Sequence, residues 1–351
     1  ISSLSSEYFK KSILTSIPYL RFIIFALVIK FLLIKKNFFN KNLYQFYFYI
    51  ILLVCIDAWI QYIFGKNILN FSQVTENRIS GFFGEKLILG SFLCKIYPLI
   101  LIIYVLNINN FNKLEKLFFY IFSLVLSSTI FISGERAALN HHLIFLMIVF
   151  FLIFDFSKKN FSFLIIGVAM FIVIITTNNN AFNRQINSQY QNFKSNNIFT
   201  VYHSQHFTAA FKIFKDNKYF GTGVKTFRYE CRKPKYKESN TQRLKGIKSC
   251  STHPHNTYLQ ILSESGFFAF ICIFVIFIFF FFKLVYFFYL KLSNRLKIEH
   301  QPLIIISAFF FFYLLPLSTN GNFFNNWLNS IFFLYLGVYL FLSERLNLNN
   351  K

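Results

Sequence analysis

Acidic side chains are scarce in this sequence. Asp and Glu together number 13 against 36 Lys and Arg, and the aspartates are Asp57, Asp155 and Asp216 alone. No Asp-x-Asp pair stands ready to hold Mg2+ or Mn2+ against a phosphorylated ligand, so metal-independent chemistry is expected, with no cofactor. Cysteine is also sparse, at five residues, with no Cys-x-x-Cys and no zinc-like spacing. Cys55, Cys94 and Cys272 fall in apolar segments and read as small core residues. Cys231 and Cys250 lie in a polar stretch and can pair if that stretch faces an oxidising compartment. There is no internal repeat. The net charge of +23 comes without a stripe of Lys and Arg interleaved with stacking residues on a soluble domain, so nucleic acid is not expected as a partner. No segment with a short apolar core and a small-residue cleavage site stands ahead of the first apolar run. Because the chain starts at Ile1, further N-terminal spans are expected.

What the sequence does have is apolar length. Hydrophobic residues make up 55% of the 351, with 54 Phe among them. Several runs approach the ~20 residues that cross a bilayer as a helix. The reading is all-α, a polytopic transmembrane helix bundle of nine spans, near 17–34, 43–64, 88–106, 117–134, 141–155, 162–177, 265–290, 302–317 and 328–343. Short connections rich in Lys and poor in acid (Lys35, Lys36 and Lys41; Lys113 and Lys116; Lys158 and Lys159; Lys291, Arg295 and Lys297) share one side with the C-terminal tail, and that side is expected to be cytoplasmic. The opposite side then holds 65–87, a turn at 135–140, the long loop 178–264 and 318–327. The chain divides accordingly into 1–177 with six spans, the loop 178–264, and 265–351 with three spans and the tail. Asn178 to Asn180 read as linker. Phe207, Ala210, Phe211 and Phe214 recur at helical spacing, giving a stripe that lies on the membrane surface or covers the bundle.

Two features converge on the outer side. The first is Ser133-Gly134-Glu135-Arg136-Ala137-Ala138-Leu139. A permanent cation at a membrane edge is costly unless it is paired or used. Arg136 is therefore either a snorkelling or Glu135-paired arginine or a group that grips an anion. The second is His253-Pro254-His255-Asn256, where the long loop re-enters the membrane. A neutral imidazole can take a proton from a sugar hydroxyl, and Asn256 can orient it or hold a substrate oxygen. The plainer alternative is a helix start, for which Pro254 is well suited. His253 and His255, His203 and His206, and His141 and His142 are the pairs a metal site could draw on, but such a site wants carboxylates or further imidazoles around it.

The Gly-Glu-Arg turn, Gly221-Thr222-Gly223, the His-Pro-His-Asn-x-x-Leu stretch with Glu264 and Gly266, and the late turn Ser318-Thr319-Asn320-Gly321-Asn322 together resemble the O-antigen ligase and polymerase family of bacterial envelopes, from about residue 75 onward. The resemblance implies a multi-helix inner-membrane protein with a large periplasmic loop. Such a protein takes a glycan from an undecaprenyl-diphosphate carrier and passes it to lipid A-core (a ligase) or to another carrier-linked repeat unit (a polymerase). Membrane lipids are the remaining partner. Residue by residue, it makes Arg136 and His255 catalytic. Asn256, His253, Arg184, Arg228, His203, Gly221 and Gly223 fall on the substrate side. The family's second arginine, at the start of the helix leading to Gly-x-Gly, is missing from Tyr202-His203-Ser204-Gln205-His206-Phe207, which leaves Arg184, Arg228, Arg232 or His203 to stand in. In the implied reaction arginine grips the diphosphate with paired N–H bonds, the imidazole activates the acceptor hydroxyl from the other side of the anomeric carbon, and the centre inverts. A ligase is favoured slightly over a polymerase, and a protein O-glycosyltransferase belongs to the same class. A transporter or flippase is the reading from another class, with Lys30, Arg21 and Asp57 as intramembrane charges. Against it, charges cluster at span ends and no paired interrupted spans occur.

Overall fold

A computed structural model describes residues 1–35, 38–74, 78–153, 179–194, 199, 201–236 and 250–349. The principal helices are α1 (Phe9–Ser16), α2 (Leu20–Lys35), α3 (Lys41–Phe64), α4 (Leu89–Leu106), α5 (Lys113–Ile132), α6 (Arg136–Ile153), α7 (Val201–Asp216), α8 (Thr257–Leu292), α9 (Gln301–Tyr313) and α10 (Asn326–Asn349). Among the described residues there is no strand beyond isolated bridges. Among the described residues, seven helical segments are long and apolar enough to cross a membrane, with Ile298–Tyr313 a shorter apolar one. Eight of the nine expected spans fall on these helices; the ninth, 162–177, lies outside the described residues. The chain is a helical membrane protein.

It separates into two compact units interleaved along the sequence, one of 1–32, 192–283 and 314–341, the other of 33–191, 284–313 and 342–351. They are called the loop unit and the bundle unit below.

In the bundle unit, α9 packs on α4 and α6, and α3 packs on α4 and α5. Apolar runs supply the length, and local chemistry sets the ends. Asn40 caps α3 by accepting from the Leu43 amide at 2.9 Å, and the helix closes on Gly65 in the left-handed region. At the same end of the unit, Asn112 and Glu115 form a capping box on α5, Lys41 pairs with Glu115 at 2.6 Å, and Asn107 after α4 donates to Phe39 O at 2.7 Å. The turns after α5 and before α4 are at the other end, and they bring in Arg136 and Arg78, described below.

In the loop unit, α7 buries Ala209, Ala210 and Ile213 against Phe227, Cys231 and Tyr236. The stripe read from the sequence is therefore split: its small residue packs inward, while Phe211 is exposed beneath the Lys215 ammonium. Cys231 and Cys250 are joined as a disulfide. α8 starts inside the long loop, eight residues before the expected span, and at 36 residues reaches about 54 Å, well beyond a bilayer core. It bends at Gly266 (φ 82°), where a Cβ would lie 2.1 Å from Tyr219 O. Beyond that bend Phe267, Phe268, Phe279 and Phe282 point outward, as suits a lipid-facing helix.

Candidate functional site

The bundle unit gathers arginines around one turn. Gly134, in the left-handed region (φ 70°), lets the chain reverse between α5 and α6. Arg136 Nε donates to Arg184 O at 3.1 Å, and Arg184 Nε donates back to Gly134 O at 2.8 Å. Gln185, fully buried, donates to Phe131 O at 3.1 Å and ties the 183–187 segment to the same turn. Arg78 joins from the segment between α3 and α4, donating to Leu87 O at 3.3 Å. Burial first, then the neighbouring Arg184 and Arg136 charges, lower the Arg78 guanidinium below its ordinary value, with Glu135 opposing. Burial likewise lowers Arg184.

Glu135 does not pair with Arg136 in the manner the sequence suggests. Its carboxylate accepts from Gly90 N (2.8 Å), Ser91 N (3.2 Å) and Ser91 Oγ (2.7 Å), at the start of α4. Burial raises it above the usual carboxylate value, with Ser91, Gly90, Arg78 and Lys95 opposing.

The loop unit gathers imidazoles. His203 and His206, one turn apart on α7, approach His255 with ring centroids at 5.4 and 5.3 Å, and His253 lies 4.1 Å from it. Two of these pairings were invisible as such in the sequence, because some fifty residues separate α7 from the His-Pro-His-Asn stretch. His255 has φ +61°, a left-handed conformation that is uncommon for a residue with a side chain and gathers at functional sites. The late turn holds it there, with Asn320 N donating to His255 O at 2.8 Å. Burial, then His253, His203 and His206, lower the His255 imidazole to about 3. Burial lowers His253 to about 4, Asn320 opposing and His206, Arg228 and His203 adding. Both rings are therefore neutral at neutral pH. Among the described residues no three His, Cys, Asp or Glu side chains are disposed to ligate one metal ion.

Several substrate-side expectations change at this point. Asn256 is 6% exposed, and its amide is engaged within the protein: Oδ1 accepts from Leu259 N at 3.0 Å as the cap of α8, and Nδ2 donates to Pro316 O and Ser318 O at 2.7 and 3.2 Å. It holds the loop entry to the late turn and has no N–H left for a substrate oxygen. Gly221 and Gly223 serve packing. A Cβ at 221 would sit 2.4 Å from the Glu264 carbonyl carbon, and one at 223 would sit 2.5 Å from Ser6 Oγ. Thr222 N and Gly223 N donate to Ser263 O and Glu264 O at 3.0 and 2.8 Å, while the Glu264 carboxylate accepts from Phe227 N, Lys225 N and Gln260 Nε2. Glu264 thus staples the Gly-x-Gly loop to α8. Arg228, the other loop-unit candidate, has a buried Nε without a hydrogen-bond partner among the described residues, as does His253 Nε2. Asp57, considered for a transport path, is fully buried and accepts from Asn67 Nδ2 and Ile68 N at 3.1 and 3.0 Å, which makes it a loop anchor. Arg136 and Arg184 belong to the bundle unit; His203, Arg228, His253 and His255 belong to the loop unit.

Sequence reasoning missed Arg78 altogether. It sits in a connection with no motif around it, and only the folded contact reveals it.

Residues 121–274, a little under half of the chain, match the family model described as O-antigen ligase. No curated protein and no solved structure matches the chain.

Proposed function

We propose, from the premise that this match assigns the chain to the O-antigen ligase family, that the protein transfers a glycan from a lipid diphosphate carrier, undecaprenyl diphosphate, to a sugar hydroxyl of lipid A-core at the periplasmic face of the inner membrane. The observation that carries this reading is the gathering of Arg78, Arg136 and Arg184 around one turn at a helix end. Three guanidiniums with one carboxylate nearby, itself turned to backbone amides, suit an anion more dispersed than a side-chain carboxylate. A departing diphosphate is such an anion, and cations fixed in a dry site stabilise its developing charge more than water-exposed ones.

His255 is the proposed general base. Its ring is neutral and able to accept the hydroxyl proton, and its strained backbone is over-determined by Asn320 and the Asn256 cap. In the free protein it is a weak base. A nearby anion favours the protonated ring and so raises its basicity when substrate is bound. Displacement with base and leaving group on opposite faces inverts the anomeric centre. The Cys231–Cys250 disulfide supports an oxidising compartment for the loop.

Cells lacking the protein test the reading and separate it from polymerisation. Unligated chains accumulating on the carrier are the expected result. Single-repeat surface glycan would identify a polymerase, and an unchanged surface glycan would reject both.

A further inference from the structure

Beneath the arginine turn the membrane-spanning part of α4 carries a charge. Lys95 is 8% exposed, in an otherwise apolar helix. A buried lysine inside a span is costly and is kept where it has a use. Its Nζ donates to Ser91 O at 3.3 Å. Ser91 is also the residue whose N–H and hydroxyl hold Glu135, and Lys95 and Glu135 lie within each other's field. The fit around them is close: a Cβ at Gly90 would lie 2.4 Å from Ser133 Oγ and 3.3 Å from Glu135 Cβ and Ala138 Cβ, so the first turn of α4 and the arginine turn admit no side chain between them.

Resting on the anion-binding reading above, we propose that Glu135 and Lys95 are positioning residues for the arginine cluster. Glu135 clamps the turn bearing Arg136 to the start of α4. Lys95, one helical turn deeper, offsets part of that carboxylate's charge, so less of it falls on the cluster of Arg78, Arg136 and Arg184 that faces a diphosphate. Neither residue touches the ligand. An acceptor is needed because two backbone N–H groups and a hydroxyl converge there, and an acid in that place, left unbalanced under three guanidiniums, would compete with the substrate for them.

The test measures affinity of the full-length protein in detergent for farnesyl diphosphate. Lys95→Met is expected to weaken binding about tenfold, by leaving the buried Glu135 charge to draw on the arginines alone in a medium of low dielectric. Lys95→Arg should stay within about threefold of wild type, since it keeps the charge. Lys95→Met combined with Glu135→Gln should recover most of the loss, which a merely structural defect would not do. Unchanged affinity in Lys95→Met, or no recovery in the double variant, overturns the proposal. Should Lys95→Met fail to insert, Lys95→Gln with and without Glu135→Gln gives the same comparison. Arg136→Ala separates the two levels. If it binds farnesyl diphosphate like wild type, the anion site itself is wrong. If it loses binding while the Lys95 variants do not, only the positioning role is wrong.

Discussion

The arginine turn and the histidine loop place charge in opposite ways. Around Gly134, three guanidiniums stay together because the carbonyls of Gly134, Arg184 and Leu87 take their N–H groups and the one acid is drawn off to α4. Around His255, four imidazoles meet, and burial keeps the His253 and His255 rings neutral. One region concentrates positive charge; the other removes it. A reaction that expels a diphosphate while deprotonating a hydroxyl needs both kinds of place.

The sharpest way to break this comparison is to exchange the chemistry at each pole. Arg136→Ala should lower glycan transfer by about 10³-fold, in the range of losing a charge-stabilising donor. Arg136→Lys should still cost at least tenfold, because the planar fork is lost while the charge stays. Near-normal transfer in Arg136→Lys would mean that charge alone suffices. At the other pole His255→Gly suits the left-handed backbone and should leave the melting temperature unchanged or raised, yet abolish transfer. A variant that melts normally and retains transfer would strip His255 of its role.

The next effect is on stability. Removing the disulfide by Cys231→Ser and Cys250→Ser releases a crosslink across 19 residues and should cost about 3 kcal/mol of loop-unit stability. The bundle unit is expected to be unaffected. Protease accessibility at 221–236 against that of the α3–α5 region measures this.

The smallest effect concerns pH. His253 and His255 titrate in the folded protein at about 4 and about 3, below the ordinary histidine value near 6.5. Below about 6.5 the unfolded chain therefore takes up protons that the folded chain refuses. Stability is full above that point and falls as the pH drops toward 3. Replacing both by Gln should flatten the decline between pH 6 and 4; an unchanged slope would place the acid sensitivity elsewhere.

Most of the spans were legible because long apolar runs announce themselves and short lysine-rich connections mark their ends. The start of α8 was not, since Thr257 to Glu264 is a polar helix and hydropathy finds only the part beyond Gly266. Arg136 and His255 stood out through their surroundings at a membrane edge and a loop re-entry. What the sequence hid is side-chain engagement. Asn256 reads as a ligand group and is a cap. Gly221 and Gly223 read as a substrate loop and are places where backbone meets backbone. Lys95 disappears into a hydropathy average. The partnership of α7 with His255, and of Arg78 and Arg184 with Arg136, are long-range contacts that no local pattern encodes.

The central claim is that this chain itself moves a glycan off a lipid diphosphate, using Arg136 and His255. Its most direct test is purified protein in liposomes with labelled undecaprenyl-diphosphate glycan and lipid A-core. The account predicts that label passes to lipid A-core with wild-type protein and stays on the carrier with Arg136→Ala and with His255→Ala. Label crossing the membrane while still on its carrier, or transfer undiminished in both variants, would contradict it.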